Sequence, residues 1–452
     1  MINTTNKNTN LTAKKKIISN KEDNKTKTKE VNKAAKKEVN KTKNKEVNKP
    51  INKETNKPIN KESIKVTQKE PIKTAIKEVN KTEKKITSKP VNAKINKIID
   101  DFQLKIFQEI NNSNIATNIM VSPLSIYHIL SLTTNGAANK TLAEMLRTLC
   151  SKNKIELNKN NQLISSSIEK LKSIEIANVV FTKFKPLDNF MIIMKEYKAK
   201  IDILKDADQV NKWCNDATHN KITTIIDKVT RDDLMILINA IYFKGIWQDK
   251  FDKNLTNKEK FMNFNNNPKE VEFMHITKKF DYFEDKNNQV ISLNYQKDNL
   301  KALIILPKTQ TDINVFIQNL SIEYYNIILK KLVNKKVIFS LPKFEIRFNA
   351  ELKKNFISLG MVEPFSTNAD FSTMKKEKDI HIDQIIHKTF IKVDEKGTEA
   401  AAVTAVIMRK NAAFNPEPDI VMNVNHPFLF IIRSNDLPPG HDMLFVSKIE
   451  CL

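Results

Sequence analysis

An α+β fold is predicted for residues 96–452 on three observations. Apolar side chains recur at helical spacing in some segments and at strand spacing in others, without regular βαβ alternation. All aromatic residues, both Trp among them, lie in this part of the chain. It also holds the apolar runs needed for one large interior, with nearly balanced charge: 48 basic against 42 acidic residues in 98–452.

Residues 1–97 are of another kind. They contain 28 Lys and 10 acidic residues, no Gly and no aromatic side chain, and so carry +18 of the formal +24 charge. Such a stretch buries too little apolar surface to offset its chain entropy, and residues 1–95 are read as a disordered basic tail. A Lys-Glu pair recurs every eight residues, placing acids at Glu22, Glu30, Glu38, Glu46, Glu54, Glu62, Glu70 and Glu78. That period overshoots two helical turns by about 80°, so no apolar stripe forms. Pro50, Pro58, Pro71 and Pro90 also oppose a continuous helix. A solvated spacer is the plainer reading of the tail; a polyanion or nucleic acid held through counterion release is the alternative partner.

The folded part begins with Ile98, Phe102, Ile106 and Ile110, a helical spacing that stops at Asn111-Asn-Ser-Asn. Further helices are expected at 123–134, 139–149, 186–199, 313–332 and 350–359. Strands are expected at 235–243, 289–295, 301–306, 335–348, 420–433 and 443–449. The chain has five glycines. Gly360, in Ser358-Leu-Gly-Met, fits a left-handed helix cap. Gly245, in Tyr242-Phe-Lys-Gly-Ile-Trp247, is expected to end a strand at a sharp turn. Cys150, Cys214 and Cys451 are odd in number and scattered, which suits buried free thiols rather than a disulfide or metal framework. No metal or cofactor is expected. No apolar run has the length of a membrane span and no signal-like core opens the chain. An intracellular, membrane-free location is therefore expected, with the extracellular space as the alternative.

Gly397 separates a β-like run, Thr389-Phe-Ile-Lys-Val-Asp394, from a stretch of small residues: Thr398, Glu399, Ala400, Ala401, Ala402, Val403, Thr404, Ala405 and Val406. As a strand this stretch would put Thr398, Ala400, Ala402, Thr404 and Val406 on one face, with Glu399 and Val403 on the other. It can stand as a loop and is compatible with a buried strand. Met408, Arg409, Lys410, Asn411 and Ala412 follow, and then Pro416 and Pro418. The combination reads as a protease target held in the open.

At this point the chain resembles the serpin family over nearly all of residues 96–452. The resemblance is carried by an ordered set: Asn118-Ile-Met-Val-Ser-Pro-Leu-Ser-Ile126, Gly136-Ala-Ala-Asn-Lys-Thr141 and Leu237-Ile-Asn-Ala-Ile-Tyr-Phe-Lys-Gly-Ile-Trp247. Leu341-Pro-Lys-Phe, Asp370-Phe-Ser, His387-Lys-Thr-Phe, Val393-Asp-Glu-Lys-Gly-Thr-Glu-Ala-Ala-Ala402 and His426-Pro-Phe-Leu-Phe430 complete it. It implies three β-sheets and eight or nine helices, with an exposed reactive-centre loop at about 395–420. The implied activity is irreversible inhibition of a protease by a monomer: the enzyme cuts the loop, and the freed hinge enters the large sheet as a new strand. Carried over by position, the hinge spans Glu395 and Gly397 to Thr404, with Glu395 pairing Lys343 at the top of the sheet. Ser122, Ser125, Asn239, His387 and Trp247 belong to the region where the sheet opens.

Counted from Glu395 by the spacing usual in the family, the resemblance implies a cut bond between Asn411 and Ala412, which would suit an asparagine-directed cysteine protease. A trypsin-like serine protease would instead cut after Arg409 or Lys410. Both remain open. Two rival functions are weighed. A catalytic enzyme finds no support, because no nucleophile elbow, zinc-binding helix motif or phosphate loop is present and the seven His residues are scattered. A non-inhibitory serpin, acting as a carrier, chaperone or storage protein, would be expected to carry bulky, charged or Pro residues in the hinge, whereas Thr398 to Ala405 keep the small-residue pattern.

Overall fold

The computed structural model describes residues 93–308, 312–398, 420–437 and 441–452, with side chains from Phe102 onward. Residues 93–95 of the expected disordered tail begin the helix Ala93–Asn112, whereas its residues 1–92 and the loop residues 399–419, with Arg409, Lys410, Asn411 and Ala412, lie outside the described residues. Among these, nine α-helices and sixteen strands fold around one large core and one smaller one.

The helix Pro123–Thr134 forms at the predicted bounds. Ser122 caps it by accepting from the Ser125 N–H, Pro123 opens it, and all twelve of its residues are buried. A helix apolar all round belongs inside, and this one runs beneath the central sheet.

In chain order the strands are β1 (Ile119–Val121), β2 (Ile174–Thr182), β3 (Lys200–Ile203), β4 (Met235–Phe243), β5 (Gly245–Ile246), β6 (Asn257–Met262), β7 (Pro268–Glu284) and β8 (Asn288–Asn294). They continue as β9 (Leu300–Pro307), β10 (Val333–Pro342), β11 (Phe344–Glu351), β12 (Gln384–Asp394), β13 (Gly397–Thr398), β14 (Ile420–Asn423), β15 (Phe428–Ser434) and β16 (Met443–Ile449). The central sheet has seven strands, ordered β3-β2-β4-β12-β13-β5, with β11 on the other side of β12. The other nine make two sheets joined by one long strand. The seventeen residues of β7 pair with β6 and β10 over most of their length and with β8 only at Asp281–Glu284. With the central sheet this gives the three-sheet α+β architecture.

The continuous apolar run of β4 has a physical reason. Leu237 and Ile241 face the main core, whereas Ile236, Ile238 and Ala240 face a second cluster with Val210 and Cys214 of the helix Ala207–Ala217. A strand covered on both faces loses the apolar-polar alternation.

Several local expectations are corrected. The run 335–348 is two strands, β10 and β11, in different sheets, because the chain turns a corner at Pro342–Lys343. The helix expected over 313–332 is broken into Ile313–Asn319 and Ile322–Lys331, the second capped by Ser321. Residues 350 and 351 end β11 rather than start a helix, and the helix Lys353–Ser358 follows. The helices Lys154–Ile168 and Ala207–Ala217 were not expected: their Asn- and Lys-rich sequences bury few positions. Cys150, Cys214 and Cys451 are thiols outside any disulfide, but only Cys214 is fully buried.

Candidate functional site

The site lies along the seam between β4 and β12. These strands are parallel and directly paired from Gln384↔Ile236 to Thr389↔Ile241. Above Thr389 the pairing ends and a wedge enters. After Asp394 the chain turns through Glu395 and Lys396 and comes back antiparallel to β12 as β13, with Asp394↔Gly397 and Val393↔Thr398. The other edge of β13 pairs with β5, Gly397↔Ile246 and Thr398↔Gly245. The sheet is therefore closed below and already parted above, with Gly397 and the first residue of the small-residue stretch, Thr398, lodged in the gap.

Gly397 is required here. Its φ is +153°, and an added Cβ would stand 2.1 Å from the Gly245 carbonyl oxygen, a backbone atom that cannot swing away. Gly245 is constrained differently from the expected turn: a Cβ there would lie 2.5 Å from the Tyr295 ring. Its missing side chain makes room for an aromatic platform. Tyr295 stacks on Trp247 with ring centroids 4.4 Å apart and meets Phe243 edge-on. The Trp247 indole N–H donates to the Asp394 carbonyl and its backbone N–H to that of Lys396, both at 3.0 Å, so Trp247 braces the turn into β13.

Glu395 and Lys343 approach to 3.2 Å at the top of this seam. Thr256 Oγ1 donates to Glu395 Oε1 at 3.0 Å, and Lys343 also reaches Glu272. Burial pushes the Glu395 carboxyl up, but backbone, Thr256 and Lys343 contacts outweigh it and hold it below its ordinary value. Burial likewise opposes the Lys343 charge, yet Glu272 and Glu395 keep its ammonium above the usual range.

Lower down, a chain of buried polar groups crosses the seam. The Ser122 N–H donates to His387 Nε2 at 3.1 Å, so Nδ1 carries the ring proton and donates to Asn239 Oδ1 at 2.8 Å. Ser125 Oγ also donates to Asn239 Oδ1, at 2.6 Å, and Asn239 Nδ2 donates to Asn178 Oδ1 at 2.7 Å. Burial pushes the His387 pKa down to about 3. A second ring proton would also face the Ser122 N–H donor to donor. Thr389 Oγ1 donates to the Met120 carbonyl at 2.7 Å, tying β12 to β1.

The structure brings Ser122, Ser125, Asn239 and His387 into one network, and gathers Glu395, Lys343, Trp247, Gly397 and Thr398 at the parted end. Glu399, Ala400, Ala401, Ala402, Val403 and Thr404 lie outside the described residues. Sequence reasoning missed Asn178, Tyr295 and Thr256. Asn178 had a signal, a lone amide inside the apolar run Ile174–Thr182. Tyr295 and Thr256 had none. Among the described residues no His, Cys, Asp or Glu cluster could hold a metal ion, and no helix is long and apolar enough to cross a membrane.

Comparison with known proteins agrees with this geometry. Residues 97–451 match the family profile of the serpins, the serine protease inhibitors. Leukocyte elastase inhibitor of Xenopus laevis is 32% identical over 353 residues, covering 73% of this chain and 93% of the relative. Human Serpin B8 is 32% identical over 349 residues, covering 73% and 92%. Among solved structures, the thermophilic serpin tengpin in its native state superposes with a TM-score of 0.72 at 29% identity, covering 81% of this chain and 96% of that one. The chain belongs to the serpin family of serine protease inhibitors.

Proposed function

We propose that this serpin is a suicide substrate, spent one molecule at a time rather than turning over, whose severed loop becomes a new strand between β12 and β4. The docked start at Gly397–Thr398 carries this reading. Continuing its register, Ala400 would meet Ile391, Ala402 Thr389, Thr404 His387 and Val406 Ile385. Ile391, Ile385 and Val393, the partner of Thr398, all lie in the main core, so no side chain larger than Val would have to enter that face. Glu399, the one charge between Gly397 and Val406, would come opposite exposed Lys392 on the other face.

The energetics favour insertion once the loop is cut. The new strand would replace the six β4–β12 pairs with ladders on both of its edges. A net gain of about ten backbone hydrogen bonds at about 1 kcal/mol each, with apolar burial in addition, is enough to drive a strand exchange. The protease nucleophile attacks the loop carbonyl, the amine leaves on the C-terminal fragment, and insertion carries the acyl-enzyme away before water can release it.

The target is a trypsin-like serine protease cutting after Arg409 or Lys410, or an asparagine-directed cysteine protease cutting after Asn411. Incubation with both classes tests the proposal. An SDS-resistant adduct is expected with at least one, and the new N-terminus of the released fragment, Lys410, Asn411 or Ala412, identifies the bond. Thr398→Arg would have to bury an unpaired cation at a position that is 1% exposed, so it should leave the loop cleavable and abolish the adduct. A wild-type chain that is only nicked, with no covalent product from any protease, refutes the reading.

A further inference from the structure

We propose that Tyr295 is a positioning residue for loop insertion, its hydroxyl seating Thr398 at the register from which the new strand grows. The proposal rests on the suicide-substrate reading above and adds the residue that starts the insertion.

Tyr295 lies just beyond β8, in the connection to β9, far in sequence from the hinge. Its hydroxyl and Thr398 Oγ1 are 2.8 Å apart, a bond between two buried side chains. The ring is held from three sides: the Trp247 stack, the Phe243 edge and the bare backbone of Gly245. It cannot rotate to find another partner. Burial holds the phenol protonated far above its ordinary pKa, with the Thr398 hydroxyl the one hydrogen-bond partner opposing that shift. Were Thr398 to leave, the Tyr295 hydroxyl would stay buried with that partner gone, which penalises undocking.

Position matters more than attachment. Seating Thr398 opposite Val393 decides which residues of the following stretch face the core. A slip of one residue would turn Glu399, Ala401 and Val403 inward and expose Thr398, Ala400 and Thr404. The hinge is also already paired on both edges, so strand growth after cleavage is a propagation step that needs no new nucleus. Acyl-enzyme hydrolysis competes with insertion in time, so a lost or loosened seat shifts the outcome from trapped protease to released protease.

Tyr295→Phe keeps the ring contacts and deletes the hydroxyl, and hydrogen exchange on the uncut full chain reads the result without any protease. Exchange at residues 396–398 is expected to quicken about fivefold, the ordinary worth of one hydrogen bond, while β4 and β12 keep their protection. The number of inhibitor molecules consumed per trapped protease should rise severalfold. Thr398→Val should reproduce both effects, Thr398→Ser should restore them, and the double variant Tyr295→Phe with Thr398→Val should be no worse than either single one. Unchanged exchange at 396–398 in Tyr295→Phe, or additive effects in the double variant, overturns the proposal. Quickened exchange together with no covalent adduct from the wild type keeps the seat and overturns the suicide-substrate reading beneath it.

Discussion

Acidification should loosen the β4–β12 seam through His387, and the size of the effect follows from its surroundings. The ring is wholly buried and neutral, with a pKa near 3 in the fold, against about 6.5 in an unfolded chain. Between those values the unfolded state binds the proton and the folded state does not, so stability falls as pH drops below about 6.5. Well below pH 6.5 each pH unit costs about 1.4 kcal/mol for this one group, which amounts to about 2 kcal/mol between about pH 6.5 and pH 4.5. His128 and His441 are buried and pushed down in the same way, to about 4 and about 3, and burial also lowers His426, so four histidines contribute to the wild-type slope. Urea unfolding of the uncut chain at a series of pH values measures the total slope. His387→Gln should be less stable at neutral pH, because it disturbs the bonds to Ser122 and Asn239, yet its slope should be shallower by about 1.4 kcal/mol per pH unit. Equal slopes in wild type and variant would refute the argument that a neutral His387 holds the seam.

Two further predictions concern the same region. Asn239→Leu leaves the His387 Nδ1–H and the Asn178 amide oxygen without their partner and the Ser125 hydroxyl with only the Ser122 carbonyl, and should cost about 3 kcal/mol by urea midpoint. Gly397→Ala sets a methyl against the Gly245 carbonyl and should undock β13, seen as lost exchange protection at residues 396–398 with the β4–β12 pairs still protected.

The legible elements were those whose local signals agreed. Pro123–Thr134 combines a Ser cap, an opening Pro and an unbroken apolar run, and β4 is an apolar β-branched run with nothing to interrupt it. The small side chains after Gly397 stand out in the sequence because such a run beside a lone glycine is unusual in a loop. Less could be read where one composition suits two settings. Residues 333–351 have strand character throughout, and only the corner at Pro342–Lys343 sends β10 and β11 to different sheets. The helix Ala207–Ala217 owes its place to two buried side chains, Val210 and Cys214, pressed on the outer face of the central sheet. Neither pattern declares its partner.

By itself the sequence determined a mixed α+β chain with one large interior, a compositionally separate N-terminal stretch, and a run of small side chains after Gly397. These depend on side-chain size, charge and period, which are local properties. Only the tertiary structure decided that β12 lies directly against β4, that Gly397 and Thr398 already occupy the parted end, and that Tyr295 meets Thr398 across 103 residues of chain. Those contacts join segments whose separate compositions carry no record of each other; packing in three dimensions creates them.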